Sequence, residues 1–234
     1  MITLENQVAV VTGAGRGMGR AIAIELGALG MRVGLGSRTR SELEETAGRI
    51  RASAVFPSDI RCREDVERLL EGVTRTLGPI DVLVNSAGIG IYGPVTDSTD
   101  EDFDAVLETN LKGIFFACRS VLPSMIERKR GHIINIASIA GKVASANRAL
   151  YCASKFGVVG FSNSLAEEVR EHGVRVSVIC PGSTNTAFSP ENKERKSRQR
   201  MLQPGDVAHT VRMILAQEPN SFISEVVMRP TQKP

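Results

Sequence analysis

Short apolar runs and longer mixed segments alternate along the chain from one end to the other. Runs at 7–11, 32–36, 54–57, 82–85, 132–137, 174–180 and 222–228 predict strands. Several are almost wholly apolar, as expected where a sheet is covered on both faces. Between them, segments 17–29, 41–50, 63–77, 101–128, 151–171 and 204–217 predict helices. Strand–helix–strand units joined by right-handed crossovers give an α/β fold. The expected form is a Rossmann-like, doubly wound parallel sheet of about seven strands with helices on both faces. No long linker or internal repeat interrupts the pattern, so residues 1–234 read as one domain. The stretch 181–203 is the exception. It is polar, carries a basic run from Lys193 to Arg200, and offers only Phe188, Met201 and Leu202 as apolar anchors. It is expected to be a substrate loop, mobile when free, that closes over bound cofactor or substrate.

Composition narrows the class. A hydrophobic fraction of 42% supports a large core, and with aromatics at only 4% that core must be aliphatic. A formal charge of +3 does not suggest a nucleic-acid partner. No apolar run approaches the ~20 residues needed to span a bilayer, and residues 1–7 show no signal-peptide pattern. Cys62, Cys118, Cys152 and Cys180 are scattered, as expected of reduced thiols in a cytoplasmic protein. His132, His172 and His209 lack ligand spacing, so no metal site is expected.

The chemistry enters at two places. Residues Thr12-Gly-Ala-Gly-Arg-Gly-Met-Gly19 follow the first strand and open the first helix. Gly13, Gly17 and Gly19 permit a tight turn and close approach of backbone to phosphate, and the helix N-terminus offers free N–H groups to a pyrophosphate. Met18 falls where the strict dinucleotide pattern has its third glycine. The second strand ends Gly36-Ser37-Arg38, without the acid that would bind a ribose 2′-hydroxyl. Arg38, Ser37 and Arg16 favour a 2′-phosphate, hence NADP(H), over the bland alternative of solvated surface arginines.

The second place is Tyr151-Cys-Ala-Ser-Lys155, with Ser138 13 positions earlier. Residues four apart share a helix face, so the Lys155 ammonium can lie near the Tyr151 hydroxyl. A nearby cation is expected to lower a phenol whose ordinary value, near ~10, is too high for neutral-pH acid–base work. Ser138 would hydrogen-bond a substrate oxygen.

With these motifs in this order, the sequence resembles the short-chain dehydrogenase/reductase family, in its common single-domain NADP(H)-dependent form, over almost its whole length. The resemblance rests on the Thr12–Gly19 turn, Asp59, Asn85-Ser-Ala-Gly88, Asn110, Ser138, Tyr151, Lys155 and Pro181-Gly182. It implies an oxidoreductase that moves a hydride between nicotinamide and a carbonyl or secondary alcohol. Tyr151 would be the general acid/base, Lys155 would tune it and hold the nicotinamide ribose, and Ser138 would orient the substrate oxygen. Asn110 would support a water linking Lys155 to solvent. Asp59 and Ile60 would lie along the adenine and Asn85 under the adenosine half. Pro181 and Gly182 would back the nicotinamide, with Thr184 and Thr186 near the carboxamide and phosphates. Gly15, Met18, Ala87 and Gly88 complete the cofactor set from the same turns. The chain departs from the family pattern in having Ser86 for the second Asn and in lacking a glycine-rich C-terminus.

The family also implies a homo-oligomer, most simply a tetramer, paired through apolar residues of the long helices: Phe115, Phe116, Val158, Val159 and Phe161. The substrate is left open among 3-oxoacyl thioesters, ketones, aldehydes and sugars. Ile89, Ile91, Tyr92, Val143, Ala144 and Ala146 suggest an uncharged or amphiphilic compound. Arg128-Lys-Arg130 and the 193–200 run could dock an acyl carrier or coenzyme A, or be solvated faces. A competing reading is a non-catalytic NADP(H)-binding sensor or subunit; it would have no need of a proton donor.

Overall fold

The computed structural model describes residues 4–188, 195–218 and 220–233. Seven parallel strands form one sheet in the order β3-β2-β1-β4-β5-β6-β7. They are β1 Val8–Thr12, β2 Arg32–Ser37, β3 Ser53–Pro57, β4 Ile80–Asn85, β5 Gly131–Ile136, β6 Val174–Pro181 and β7 Glu225–Met228. Every residue of β1 and β5 is buried, because helices cover both faces. Successive residues of β1 serve opposite cores. Val8 and Val10 pack with Val73, Ile114 and Val158 on one face, Ala9 and Val11 with Ile22, Leu26 and Val211 on the other. The first core belongs to α3 Arg63–Leu77, α5 Gly113–Glu127 and α6 Ala149–Val169. The second belongs to α1 Gly17–Ala28 and α8 Pro204–Leu215. The remaining helices are α2 Arg40–Ala47, α4 Asp100–Leu107 and α7 Arg195–Arg200.

Two sequence-based expectations are corrected here. The single helix expected over 101–128 is three pieces. α4 begins with a capping box, Thr99 and Asp102 bonding each other's backbone N–H, and a π-helical turn, Glu108–Lys112, separates it from α5. The extra residue of that turn rotates Asn110 into the protein, where it is fully buried. The second correction concerns 181–203. Its two arms are tied together: Asn185 N–H donates to the Leu202 carbonyl at 2.8 Å and Leu202 N–H to the Ser183 carbonyl at 3.0 Å. Met201 and Thr184 are buried, and 195–200 is helical. The anchors are stronger than the sparse apolar residues suggested, because backbone pairing supplies them. Residues 189–194 of that loop, including Lys193, lie outside the described residues.

The N-terminal ends of the strands are closed by polar bonds. Asp81 accepts from Val8 N–H at 3.0 Å and pairs with Arg128 at 3.1 Å and Arg130 at 3.3 Å. Arg128 and Arg130 are thus engaged structurally. In a parallel sheet they also sit at the end opposite α7, so the two basic runs cannot form one carrier-docking patch. Among the described residues no helix is long and apolar enough to cross a membrane.

Candidate active site

At the C-terminal ends of β1, β2 and β4 a cleft of about 300 Å³ opens. This is where the strand order reverses direction from β1, the position at which open α/β sheets bind ligands. Gly13 sets its floor. Its φ is +68°, and a Cβ there would meet the Ala87 backbone at 2.8 Å, so only glycine lets the two turns approach. Gly17, with φ +57°, faces Thr186, whose methyl group a Cβ would meet at 3.4 Å. The Thr12 hydroxyl accepts from Ser86 N–H at 3.1 Å and Ala87 N–H at 3.3 Å, locking the β1 and β4 turns together. Arg20 does the same inside the glycine turn, donating to the Gly15 carbonyl at 2.8 Å.

Arg16, Met18, Gly19, Ser37, Arg38, Asp59, Ile60, Ala87, Gly88 and Thr186 line this cleft with Gly13 and Gly17. The Ser37 hydroxyl is buried there without a hydrogen-bond partner. Arg16 and Arg38 are exposed and form no ion pair among the described residues. Asp59 is instead engaged by Arg61 (Nη2–Oδ2 2.7 Å), whose hydrogen bond holds its carboxyl below the usual range. An orphaned hydroxyl that shares one cleft with two arginines free of ion pairs suits a phosphate-type acceptor.

Deeper in the protein, Ser138 ends the segment after β5. Its hydroxyl accepts from Ala140 N–H at 3.1 Å and lies within 3.5 Å of the Pro181 carbonyl, close enough to Tyr151 to influence its phenol. Tyr151 is buried in the first turn of α6. Lys155, one turn on, is buried as well and donates to the Ile136 carbonyl at 3.0 Å. Gly88 brings the two halves together: a Cβ at that position would lie 3.2 Å from Asn110 Oδ1 and 3.7 Å from Lys155 Nζ.

The electrostatics differ from the expectation that Lys155 lowers Tyr151. Burial pushes the Tyr151 hydroxyl up to about 12, the nearby Ser138 hydroxyl opposes that rise, and Arg148 is the cation that lowers it. Lys155 is itself pulled down to about 8 by burial. Its ammonium sits 5.8 Å from the Tyr151 ring centre and is spent on a carbonyl.

Four expected site residues serve from beneath or beside the cleft. Asn85 points into the core, donating to Asn135 Oδ1 at 2.9 Å, so it braces β4 against β5 and does not line the cleft. Asn110 pairs with the backbone of Ile89 through both ends of its amide, at 2.8 and 2.9 Å, and donates to Ser154 Oγ at 3.0 Å. Ser154 in turn donates to the Tyr151 carbonyl at 2.8 Å, so Asn110 joins the 87–89 turn to α6. Gly182 donates to the Met228 carbonyl at 2.8 Å, and the buried Thr184 hydroxyl donates to the Gly182 carbonyl at 3.0 Å; both hold the chain as it leaves β6 at Pro181.

The structure adds contacts around Tyr151 that the sequence did not assign. Tyr92 meets Tyr151 edge-on at 5.5 Å, and Phe188 lies against its other side at 5.8 Å. Arg148 stacks on Tyr92 at 5.2 Å. Tyr92 was expected in the substrate wall, but its contact with Tyr151 was not, and Phe188 was expected only as a loop anchor.

Comparison with known proteins agrees with this geometry. The family model described as short chain dehydrogenase matches residues 7–197. An uncharacterized oxidoreductase of Staphylococcus saprophyticus is 37% identical over 235 residues, spanning 98% of this chain and 100% of the relative. A Staphylococcus aureus counterpart from strain MRSA252 is 33% identical over 236 residues with the same coverage. Among solved structures, a metagenomic short-chain oxidoreductase in complex with NADP superposes with a TM-score of 0.86 at 40% identity, over 99% of this chain and 100% of the other. A variant of actinorhodin polyketide ketoreductase with NADPH gives 0.87 at 33%, over 97% of each.

Proposed function

The chain belongs to the short chain dehydrogenase family, and from that premise we propose that it is an NADP(H)-dependent carbonyl reductase acting through Tyr151. The observation that carries the cofactor assignment is the buried, partnerless Ser37 hydroxyl in a cleft also lined by Arg16 and Arg38, neither of which forms an ion pair among the described residues. The residues fit a 2′-phosphorylated dinucleotide. Ser37, Arg38 and Arg16 would hold the 2′-phosphate. Asp59 and Ile60 would flank the adenine, and the turn through Gly13, Gly15, Gly17, Met18 and Gly19 the pyrophosphate, beside Ala87, Gly88 and Thr186. Pro181, Gly182 and Thr184 would shape the nicotinamide end. When bound, NADPH supplies the hydride.

The protein's part is the proton and the geometry. Tyr151, protonated at neutral pH because burial holds it at about 12, gives its proton to the carbonyl oxygen. Ser138 hydrogen-bonds the same oxygen. Lys155 keeps a buried ammonium beside the site and holds the ribose. Asn110 fixes the Ile89 turn, and with it the wall opposite Tyr151. Phe188 and Tyr92 pack against the Tyr151 ring in the free protein, and a shift of Phe188 on binding would help to exclude water from the reacting carbonyl.

The test is NADPH oxidation across a panel of ketones, aldehydes and 3-oxoacyl thioesters. Activity on some of them, with NADPH preferred to NADH, is expected. Tight NADPH binding with no turnover on any of them would point to the non-catalytic reading. The protein acts, in this account, as one domain over residues 1–234 in the cytoplasm, where its four unpaired cysteines stay reduced.

A homotetramer is also proposed, with a revised surface. Val158 and Val159 are buried in the core, so they are not available to a partner. Phe103, Phe115 and Phe156 are 40–50% exposed along α4, α5 and α6 and are the residues to pair across a two-fold axis. A monomeric mass by light scattering at micromolar concentration would exclude this.

A further inference from the structure

Arg148 stands three residues before Tyr151, where α6 begins, and its side chain is exposed. Its guanidinium carbon lies 5.2 Å from the centre of the Tyr92 ring. That ring in turn meets Tyr151 edge-on at 5.5 Å. The charge is felt by both hydroxyls: it lowers Tyr92 and Tyr151 against the rise that burial imposes. Arg148 forms no ion pair among the described residues. The other cation of this wall, Lys142, is tied to Glu225 at 2.9 Å. The wall that sequence marks as apolar therefore presents one uncommitted guanidinium, oriented by an aromatic ring that touches the proton donor.

We infer that Arg148 and Tyr92 form an anion subsite beside the carbonyl position, and that the substrate is a carbonyl compound carrying a carboxylate several bonds from the reacting carbon. This rests on the reductase reading above. The Tyr92 ring holds the guanidinium carbon at 5.2 Å, and no carboxylate pairs with it among the described residues, so its N–H groups can take a carboxylate through two parallel hydrogen bonds. Tyr92 lies against both, 5.2 Å from the Arg148 guanidinium carbon and 5.5 Å from the Tyr151 ring centre. In this proposal a 2-oxo acid, whose carboxylate is bonded directly to the carbonyl carbon, is too short to engage both. A longer oxo acid spans the gap, and its chain or ring lies along Tyr92.

The test compares 4-acetylbenzoate with its uncharged methyl ester, using wild type, Arg148→Gln and Arg148→Lys. Arg148→Gln is expected to raise KM for the acid about tenfold while leaving KM for the ester within about twofold, any change in kcat through Tyr151 being common to both substrates, and Arg148→Lys to recover part of the KM loss. Calorimetric binding of 4-acetylbenzoate to the NADP-loaded proteins should show the same ratio without turnover. In wild type, added salt should raise KM for the acid and not for the ester, which needs no variant to fold. Equal effects on acid and ester, or wild type binding the acid no better than the ester, would reject the subsite and leave the reductase reading standing. If wild type oxidises NADPH with no carbonyl at all, the reading beneath fails and the subsite fails with it.

Discussion

The two halves of the site are built to opposite rules. The glycine-turn half is open, and its polar groups are unspent: Ser37 has no partner and Arg16 and Arg38 pair with no carboxylate among the described residues. The Tyr151 half is closed. Its tyrosine is buried between two rings, its lysine is bonded to a carbonyl, and its asparagine is wholly committed to backbone and Ser154. The difference teaches that binding and chemistry need different preparation. A site for an anionic ligand is most effective when its donors are left unsatisfied until the ligand comes. A proton donor must be held in one position and kept from water, and burial does both at the cost of a raised pKa.

The sharpest way to separate the halves is Tyr151→Phe. It removes a hydroxyl and almost no volume, so turnover should fall at least about a thousandfold while NADPH affinity stays within about twofold. Titration of NADPH fluorescence beside the rate measures both. If affinity fell with the rate, the two halves would not be separable as described.

The reverse experiment is Arg38→Asp. It replaces an unpaired cation of the open half with a like charge for a 2′-phosphate. NADPH affinity should drop about a hundredfold, NADH affinity should hold or improve, and the rate with saturating cofactor should change little. An unchanged NADPH to NADH preference would move the 2′-phosphate site away from Arg38.

The closed half has its own signature in stability. Lys155 titrates at about 8 in the fold against an ordinary 10.5. Between those values the unfolded chain holds a proton that the folded one has released, so this group adds stability as pH rises from about 8 towards 10.5. The thiols of Cys118 and Cys180, raised to about 12 and about 11, work in the opposite direction over the alkaline range. The contribution is therefore read as the difference between wild type and Lys155→Met in urea unfolding. The stability of wild type relative to the variant should grow over that window; a flat difference would mean that Lys155 is not buried as described.

The smallest expected effect is in the loop. With its arms tied through Asn185 and Leu202, amides of 183–185 and 201–203 should exchange slowly even in the free protein. The amide of Phe188, whose ring covers Tyr151, should slow only when NADPH and substrate are both present. Equal protection of Phe188 in both states would make it a fixed cover.

How far sequence alone reached follows the same division. The open half was readable because its demands fall on backbone. Gly13 must adopt a left-handed φ against Ala87, and a missing acid after β2 leaves a visible gap at Ser37-Arg38. The layered sheet was readable because apolar runs and helices alternate over most of the chain, 181–203 aside. The closed half was readable only in its spacing, Ser138 to Tyr151 to Lys155. Nothing local marks the π-turn at Glu108–Lys112, which has no Gly or Pro within it and exists to give Asn110 to Ile89. Nothing local brings Tyr92, Phe188 and Arg148, from three separate segments, onto one tyrosine. Likewise the spacing of Tyr151 and Lys155 suggested a charge effect, but burial proved the stronger influence on both groups.

The central claim is that this protein transfers a hydride from NADPH to a carbonyl carbon with Tyr151 supplying the proton. Its most direct test is to incubate the protein with NADPH deuterated at the transferring C4 position and a carbonyl it consumes, and to analyse the alcohol by mass spectrometry. The account predicts one deuterium on the carbinol carbon of every product molecule, and no alcohol above background with Tyr151→Phe. An unlabelled alcohol, or undiminished product from Tyr151→Phe, would contradict it.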